Sequence, residues 1–332
     1  MSSKASAANQ VLRVGVVGAG VMGTNHARVL AGLPGVELVG IVDPLPAHRT
    51  RASQMIGCPT FATLDEMLDA NPDAVTIAAP THLHREVSLA CIARKIHLLV
   101  EKPIASTVEE GHEIVTAARE AGVTLMVGHV ERFNPAVAAI KQAIKDEEIL
   151  SIAITRVGPF PPRMSNVGVV IDLAVHDIDL IRWFTESDIV DVQPQLASAV
   201  AEREDIALLQ FRTASGVLAH INTNWLTPFK ARTVTVATRG KYVQGDLLTR
   251  QVTECFGFQT DGSYSMRHLS VGHDEPLRAE LIAFLDAVRG GKVPAVTGDE
   301  GVASLEIAIK CLEAPAGSIA APLRKGPRAV AS

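Results

Sequence analysis

The stretch VLRVGVVGAGVMGTNHARVL limits what this chain can fold into more than any other. A run of β-type residues from Val11 to Val17 leads directly into Gly18, Gly20 and Gly23, and a helical pattern follows. The order is strand, tight turn, helix. Each glycine has its own physical task there: Gly18 allows the sharp turn, Gly20 leaves the backbone open to a pyrophosphate, and Gly23 lets the helix pack closely. The helix would start at Val21 and Met22 with its first amides facing the phosphates. A second run, ELVGIVD, ends at Asp43, about twenty residues past Gly23, where a carboxylate accepts hydrogen bonds from an adenosine ribose. A glycine turn with a capping aspartate shares part of this pattern, but the combination points to a bound dinucleotide. A carboxylate at position 43 would also repel a 2′-phosphate, so NAD is expected over NADP, with Arg49 and Arg51 the nearest basic residues.

The alternation continues with a strand AVTIAAP, a helix over 83–95, a strand IHLLVEKP, a helix over 108–121 and a strand TLMVGH. Strands alternating with helices predict a parallel, doubly wound sheet. PTHLH places His82 and His84 two apart, but no third ligand is near, so both read as loop groups beside the cofactor rather than a metal pair. LLVEKPIA carries Glu101, Lys102 and Pro103 out of the carboxyl end of a strand, where ligands bind in open α/β sheets. Lys102 is therefore either an ordinary surface lysine or one placed for chemistry, and a nearby nicotinamide cation would lower its pKa toward proton exchange with a hydroxyl. The expected cofactor set is Gly18, Gly20, Val21, Met22, Gly23, Asp43, Pro80, His84, Glu101 and Lys102.

Composition sets outer bounds. A chain of 332 residues, 47% hydrophobic, is long for one core and suggests two domains, here 1–127 and 128–332. A net charge of -5 and 4% aromatics argue against nucleic acid or an anionic membrane as partner. Cys58, Cys91, Cys255 and Cys311 are widely spaced, which suggests free thiols in a reducing, cytoplasmic setting. MSSKASAANQ has no apolar signal-peptide core, and it reads as a disordered tail.

VVIDLAVHDIDL, residues 169–180, reads as a buried helix with an excess of charge. Asp172, His176 and Asp179, at i, i+4 and i+7, would share one face amid Val169, Val170, Ile171, Leu173, Val175, Ile178 and Leu180. Buried carboxylates need partners, either neighbouring side chains or a substrate. Past Ser151 the pattern becomes that of hairpins: ALLQFRTASGVLAHINTNWL turns around Ala214 to Gly216, with Val217, Ala219, Ile221 and Trp225 on one face and His220, Asn222 and Asn224 on the other. The helix PLRAELIAFLDAVRGG is expected to pack behind that sheet.

GAGVMG, the EKP after a strand, and GVVIDLAVHDID about seventy residues later together resemble the glucose-fructose oxidoreductase and inositol dehydrogenase (Gfo/Idh/MocA) family over nearly the whole chain. The resemblance implies an α/β Rossmann domain plus an α+β domain with a large open antiparallel sheet, and a substrate bound between them. It implies that Lys102 is the EKP lysine, and that Asp172 and His176 are the aspartate and histidine of a D-x-G-x-H pattern, in which Ala174 replaces the usual glycine. In that scheme His176 takes the proton of a substrate hydroxyl, Lys102 stabilises the developing alkoxide, and Asp172 orients the lysine or the substrate. Asp179 is structural.

VGHVERFNP and RVGPFPPR further resemble the branch that oxidises the 3-hydroxyl of UDP-N-acetylglucosamine, an early step toward a 2,3-diamino sugar for lipid A. Arg132, Arg156, Arg163, Lys230 and Arg232 are then candidates for the diphosphate, and Asn134 or Asn166 for sugar groups. A ketone product would be consumed by an aminotransferase, and an uncovered sheet face implies a homodimer or homotetramer. The other readings are a dehydrogenase of a free polyol such as inositol, an NAD-dependent glycosidase, and a non-catalytic NAD sensor.

Overall fold

The computed structural model describes residues 11–161 and 167–313. The amino-terminal tail and the Arg163 and Asn166 assignments lie outside them. Two compact units emerge, one formed by the chain up to Phe133 together with Glu275–Leu305, the other by Asn134–Asp274 and the chain from Glu306.

In the first unit β1 (Leu12–Val17), β2 (Val36–Val42), β3 (Thr60–Phe61), β4 (Ala74–Ile77), β5 (His97–Glu101) and β6 (Leu125–Gly128) form one sheet in the order β3-β2-β1-β4-β5-β6. Every pairing is parallel. Helices must cover both faces of such a sheet, which is why β4 is buried throughout and β1 nearly so. The helices are α1 (Val21–Ala31), α2 (Pro46–Ile56), α3 (Leu64–Asp69), α4 (His84–Ala93) and α5 (Val108–Ala121). The boundary of α5 agrees with the sequence because Thr107 caps its first turn and Gly122 ends it at φ 69°.

In the second unit α6 (Pro135–Ala143) precedes β7 (Ile149–Pro159), α7 (Val175–Thr185), β8 (Ile189–Ala197), β9 (Ile206–Thr213), β10 (Leu218–Asn224), β11 (Leu226–Thr238), β12 (Lys241–Asp246), β13 (Gln251–Phe256) and β14 (Ser265–Leu269). The strands form an eight-stranded sheet ordered β14-β13-β12-β11-β7-β10-β9-β8, antiparallel except where β10 pairs parallel with β7. Along β9 buried and exposed residues alternate, as a sheet with one covered face requires. The expected hairpin is β9–β10: Val217, Ala219, Ile221 and Trp225 are buried in the core, while His220 is exposed. Val137 and Ile140 of α6 and Ile178 and Ile181 of α7 belong to the same apolar core.

Two sequence expectations are corrected. The first unit runs to Phe133 rather than to 127, and it reclaims the later segment Glu275–Leu305. Within that segment α8 (Pro276–Gly290) packs on α1 and on the 3-10 turn Val130–Phe133, not behind the open sheet. A bridge between Met126 and Thr297 and the ion pair of Arg28 with Glu275 fasten the segment. The division falls inside α9 (Gly298–Glu313), whose Ile307, Ala308 and Cys311 enter the second core. All four cysteines are free, and no described helix is long and apolar enough to cross a membrane.

Candidate active site

The glycine turn has the geometry its spacing predicts. Gly18 lies at φ 95°, and a Cβ there would come within 2.6 Å of the Ala78 carbonyl. At Gly23 a Cβ would fall 1.8 Å from the Gly18 carbonyl, so only glycine lets α1 sit this close to the turn. Around Gly20 nothing lies within 4 Å of such a Cβ. That open space, in front of the uncapped and acid-free first turn of α1, fits the pyrophosphate of a dinucleotide. Val21 and Met22 are exposed beside it.

Asp43 follows β2 at the same edge of the sheet, nearly buried. One of its oxygens accepts from the Ala19 amide at 2.8 Å and the other from the Leu45 amide at 2.9 Å, with His48 Nδ1 at 3.2 Å. Burial pushes its pKa up, but these amides and His48 more than offset that, and the carboxyl lies below its usual value. Asp43 is thus an ionised acceptor held at the glycine turn, which suits ribose hydroxyls. Pro80, after β4, is exposed. His84 is buried instead, wedged between the carbonyls of Pro103, 3.0 Å away, and Ala79, 2.9 Å away. Burial lowers its pKa, and a neutral ring can donate to only one of the two carbonyls. It braces the two loops rather than lining open space.

Lys102, half-buried, follows β5 at this carboxyl edge. Beneath it Glu101 accepts from His26 Nε2 at 2.9 Å and from the Lys102 amide at 3.3 Å. Gly128 on the neighbouring strand leaves room for this carboxyl, since a Cβ there would stand 3.1 Å from Glu101 Cδ. His26 on α1 and Glu280 on α8 complete a buried cluster that the sequence reading missed. The signal was present: Glu280 interrupts the apolar stripe of Leu277, Leu281 and Phe284.

Asp172 and His176 stand in the second unit. The expected single helix is broken into two kinds of turn, a π-helical one over Val170–Ala174 followed by α7. The Val175 amide reaches back to the Val170 carbonyl. This inserted residue shifts the helical phase, so a single 3.6-residue period does not run across it. Asp172 and His176 are half-buried, whereas Asp179 is 1% exposed and Asp177 fully buried. At the start of the π turn the Glu204 carboxylate accepts from the Val170 amide at 3.2 Å, occupying the space where a Cβ on Gly168 would lie.

Several substrate candidates are engaged within the fold. Arg156 Nε and Nη2 form a fork on Asp177 with distances of 2.7–3.0 Å, and both side chains are buried. Arg132 donates to Glu300 at 2.7 Å and to the Ala295 carbonyl at 3.3 Å. Asn134 caps α6 through the Ala136 amide and donates to the Leu247 carbonyl. Arg132 and Arg156, expected at the diphosphate, and Asn134, expected at sugar groups, thus each have partners within the protein. Lys230, on β11, is exposed.

Comparison with known proteins bears on the fold and the family. Residues 12–129 match the description "Oxidoreductase family, NAD-binding Rossmann fold", and residues 140–243 match the GFO/IDH/MocA C-terminal domain. UDP-N-acetylglucosamine 3-dehydrogenase of Acidithiobacillus ferrooxidans is 28% identical over 83% of this chain and 88% of its own length. Its solved structure superposes with a TM-score of 0.85 at 26% identity, covering 90% of this chain and 96% of that one. Inositol 2-dehydrogenase 4 of Saccharopolyspora erythraea is 30% identical over 89% of this chain and 91% of its own. With a glycine turn shaped for a dinucleotide and relatives that span both units, the chain belongs to the GFO/IDH/MocA family of NAD-binding oxidoreductases.

Proposed function

We propose that this enzyme oxidises the 3-hydroxyl of UDP-N-acetylglucosamine to the 3-keto sugar. The observation that carries the reading is the match, over nearly the full length of both chains, to a dehydrogenase of that name, in sequence and in fold. Bound NAD would supply the hydride acceptor. The chain's own residues do the rest: Asp43 and the first amides of α1 bind the dinucleotide, His176 takes the hydroxyl proton, and Lys102 hydrogen-bonds the oxygen as negative charge grows on it. Asp172 orients the lysine or the substrate. For the diphosphate, Lys230 and Arg232 on β11 and Arg163 are the candidate cations.

A second reading, a free polyol such as inositol, is supported by the internal pairing of Arg132 with Glu300 and of Arg156 with Asp177, two of the expected phosphate ligands. Its relatives include several inositol dehydrogenases. NADH absorbance with UDP-N-acetylglucosamine and with myo-inositol separates the two. The expected result is turnover of the nucleotide sugar, with NADP giving the lower kcat/KM. Oxidation of a secondary alcohol by NAD is uphill near neutral pH, so NADH should stall early and rise when an aminotransferase and an amino donor remove the ketone. Turnover of inositol alone would select the second reading.

The reading includes a homodimer or homotetramer formed across the uncovered face of the second sheet. Leu208, Leu218 and Tyr242 are exposed on its strands. Light scattering on the purified protein is expected to give a multiple of the chain mass, and a monomer would reject it.

A further inference from the structure

Beneath the Lys102 backbone lies a group that the proposed chemistry does not use. The ligand atoms of His26, Glu101 and Glu280 all lie within 4.8 Å of one another, and all three residues are buried. Glu101 is well supplied with donors, His26 Nε2 on one oxygen and the Lys102 amide on the other. Glu280 is the opposite case: it is 0% exposed, and neither of its oxygens has a hydrogen-bond partner among the described residues. Two ionised carboxylates this close, away from water, would repel strongly, and the second would forfeit its hydration with nothing in return.

A proton resolves both costs. A protonated Glu280 becomes a donor, and Glu101, already arranged as an acceptor, offers a carboxylate oxygen within 4.8 Å. Burial first, and then the charge of Glu101, hold the Glu280 carboxyl well above the usual carboxylate range. The elements packed on α8, namely α1 and the 3-10 turn Val130–Phe133, carry His26, Arg28, the buried Glu131 and Arg132, and Arg28 is paired with Glu275. On α1 the facing group is His26, already bonded to Glu101, and on the 3-10 turn Arg132 is paired with Glu300. A divalent cation bound through His26 Nε2 would have to displace the direct 2.9 Å His26–Glu101 bond.

We propose that Glu280 carries a proton beside the ionised Glu101, and that the His26–Glu101–Glu280 cluster is a buried strut that positions the Lys102 backbone. Glu280 is thus a positioning residue. The kinetic part rests on the proposed role of Lys102, whereas the protonation part does not.

The first measurement is infrared difference spectroscopy of the full-length protein against Glu280→Gln at neutral pH. A protonated-carboxyl carbonyl band, shifted in heavy water and absent from the variant, is the expected result. The second compares Glu280→Leu with Glu280→Gln using the substrate that turns over. Leu is expected to lower kcat about tenfold by loosening the Lys102 geometry, with KM for NAD little changed, and Gln, which keeps a neutral donor, should restore most of the loss. Absence of the band, or equal kcat in the two variants, overturns the proposal. A stoichiometric divalent metal in the purified protein that disappears in Glu280→Gln also overturns it. Failure of every tested sugar to turn over counts against the proposed function, and the infrared result still decides the protonation.

Discussion

Lys102→Met and His176→Asn are each expected to lower kcat by about a hundredfold or more, the scale on which a general acid–base group or an alkoxide-stabilising donor contributes. Dinucleotide affinity should hardly change, because the glycine turn and Asp43 do not depend on either side chain. Steady-state kinetics paired with fluorescence titration of NAD separate the two effects. A loss of affinity equal to the loss in kcat would mean that the variant has disturbed the cradle rather than the chemistry. Near-native turnover in either variant would remove that residue from the catalytic set.

Asp177→Ala is expected to destabilise the protein by about 3–5 kcal/mol, since it takes a bidentate carboxylate away from the buried Arg156 guanidinium in the core of the second unit. The fork between the two is fully enclosed, with side-chain exposures of 3% and 0%. The double variant Arg156→Met/Asp177→Leu should recover most of that loss, because no unpaired charge then remains buried. Urea denaturation followed by circular dichroism measures both. If the single variant were as stable as the parent, the pair would not be the structural element described here. Asp172 lies five residues earlier and is half-buried, and its replacement should affect turnover more than stability.

These two predictions separate aspartates that look alike in the string DLAVHDID. The sequence reading grouped Asp172, His176 and Asp179 by a 3.6-residue period and passed over Asp177. The π turn at Val170–Ala174 invalidates that period, because an i to i+5 bond adds a residue that no local propensity announces. Which carboxylate meets Arg156 depends on β7 passing beneath α7, a contact between residues 21 positions apart. Likewise the apolar stripe of α8 showed that a helix would be buried, but not against which surface. A stripe records only that a partner exists.

The sequence by itself determined the dinucleotide half almost completely. The strand, the three glycines, the helix start and Asp43 interact over short stretches of chain, and a missing Cβ or a carboxylate at a fixed offset is written directly in the letters. The alternation of β9 and β10 was legible for the same reason, because side-chain direction in a strand has a period of two. Only the tertiary structure decided that Glu275–Leu305 returns to the first unit. Only it decided that Arg132, Arg156 and Asn134 have internal partners, and that Glu280 comes to lie against Glu101 and His26. Those outcomes depend on pairing groups distant in sequence, and a buried charge shows its need for a partner long before it shows which partner it will find.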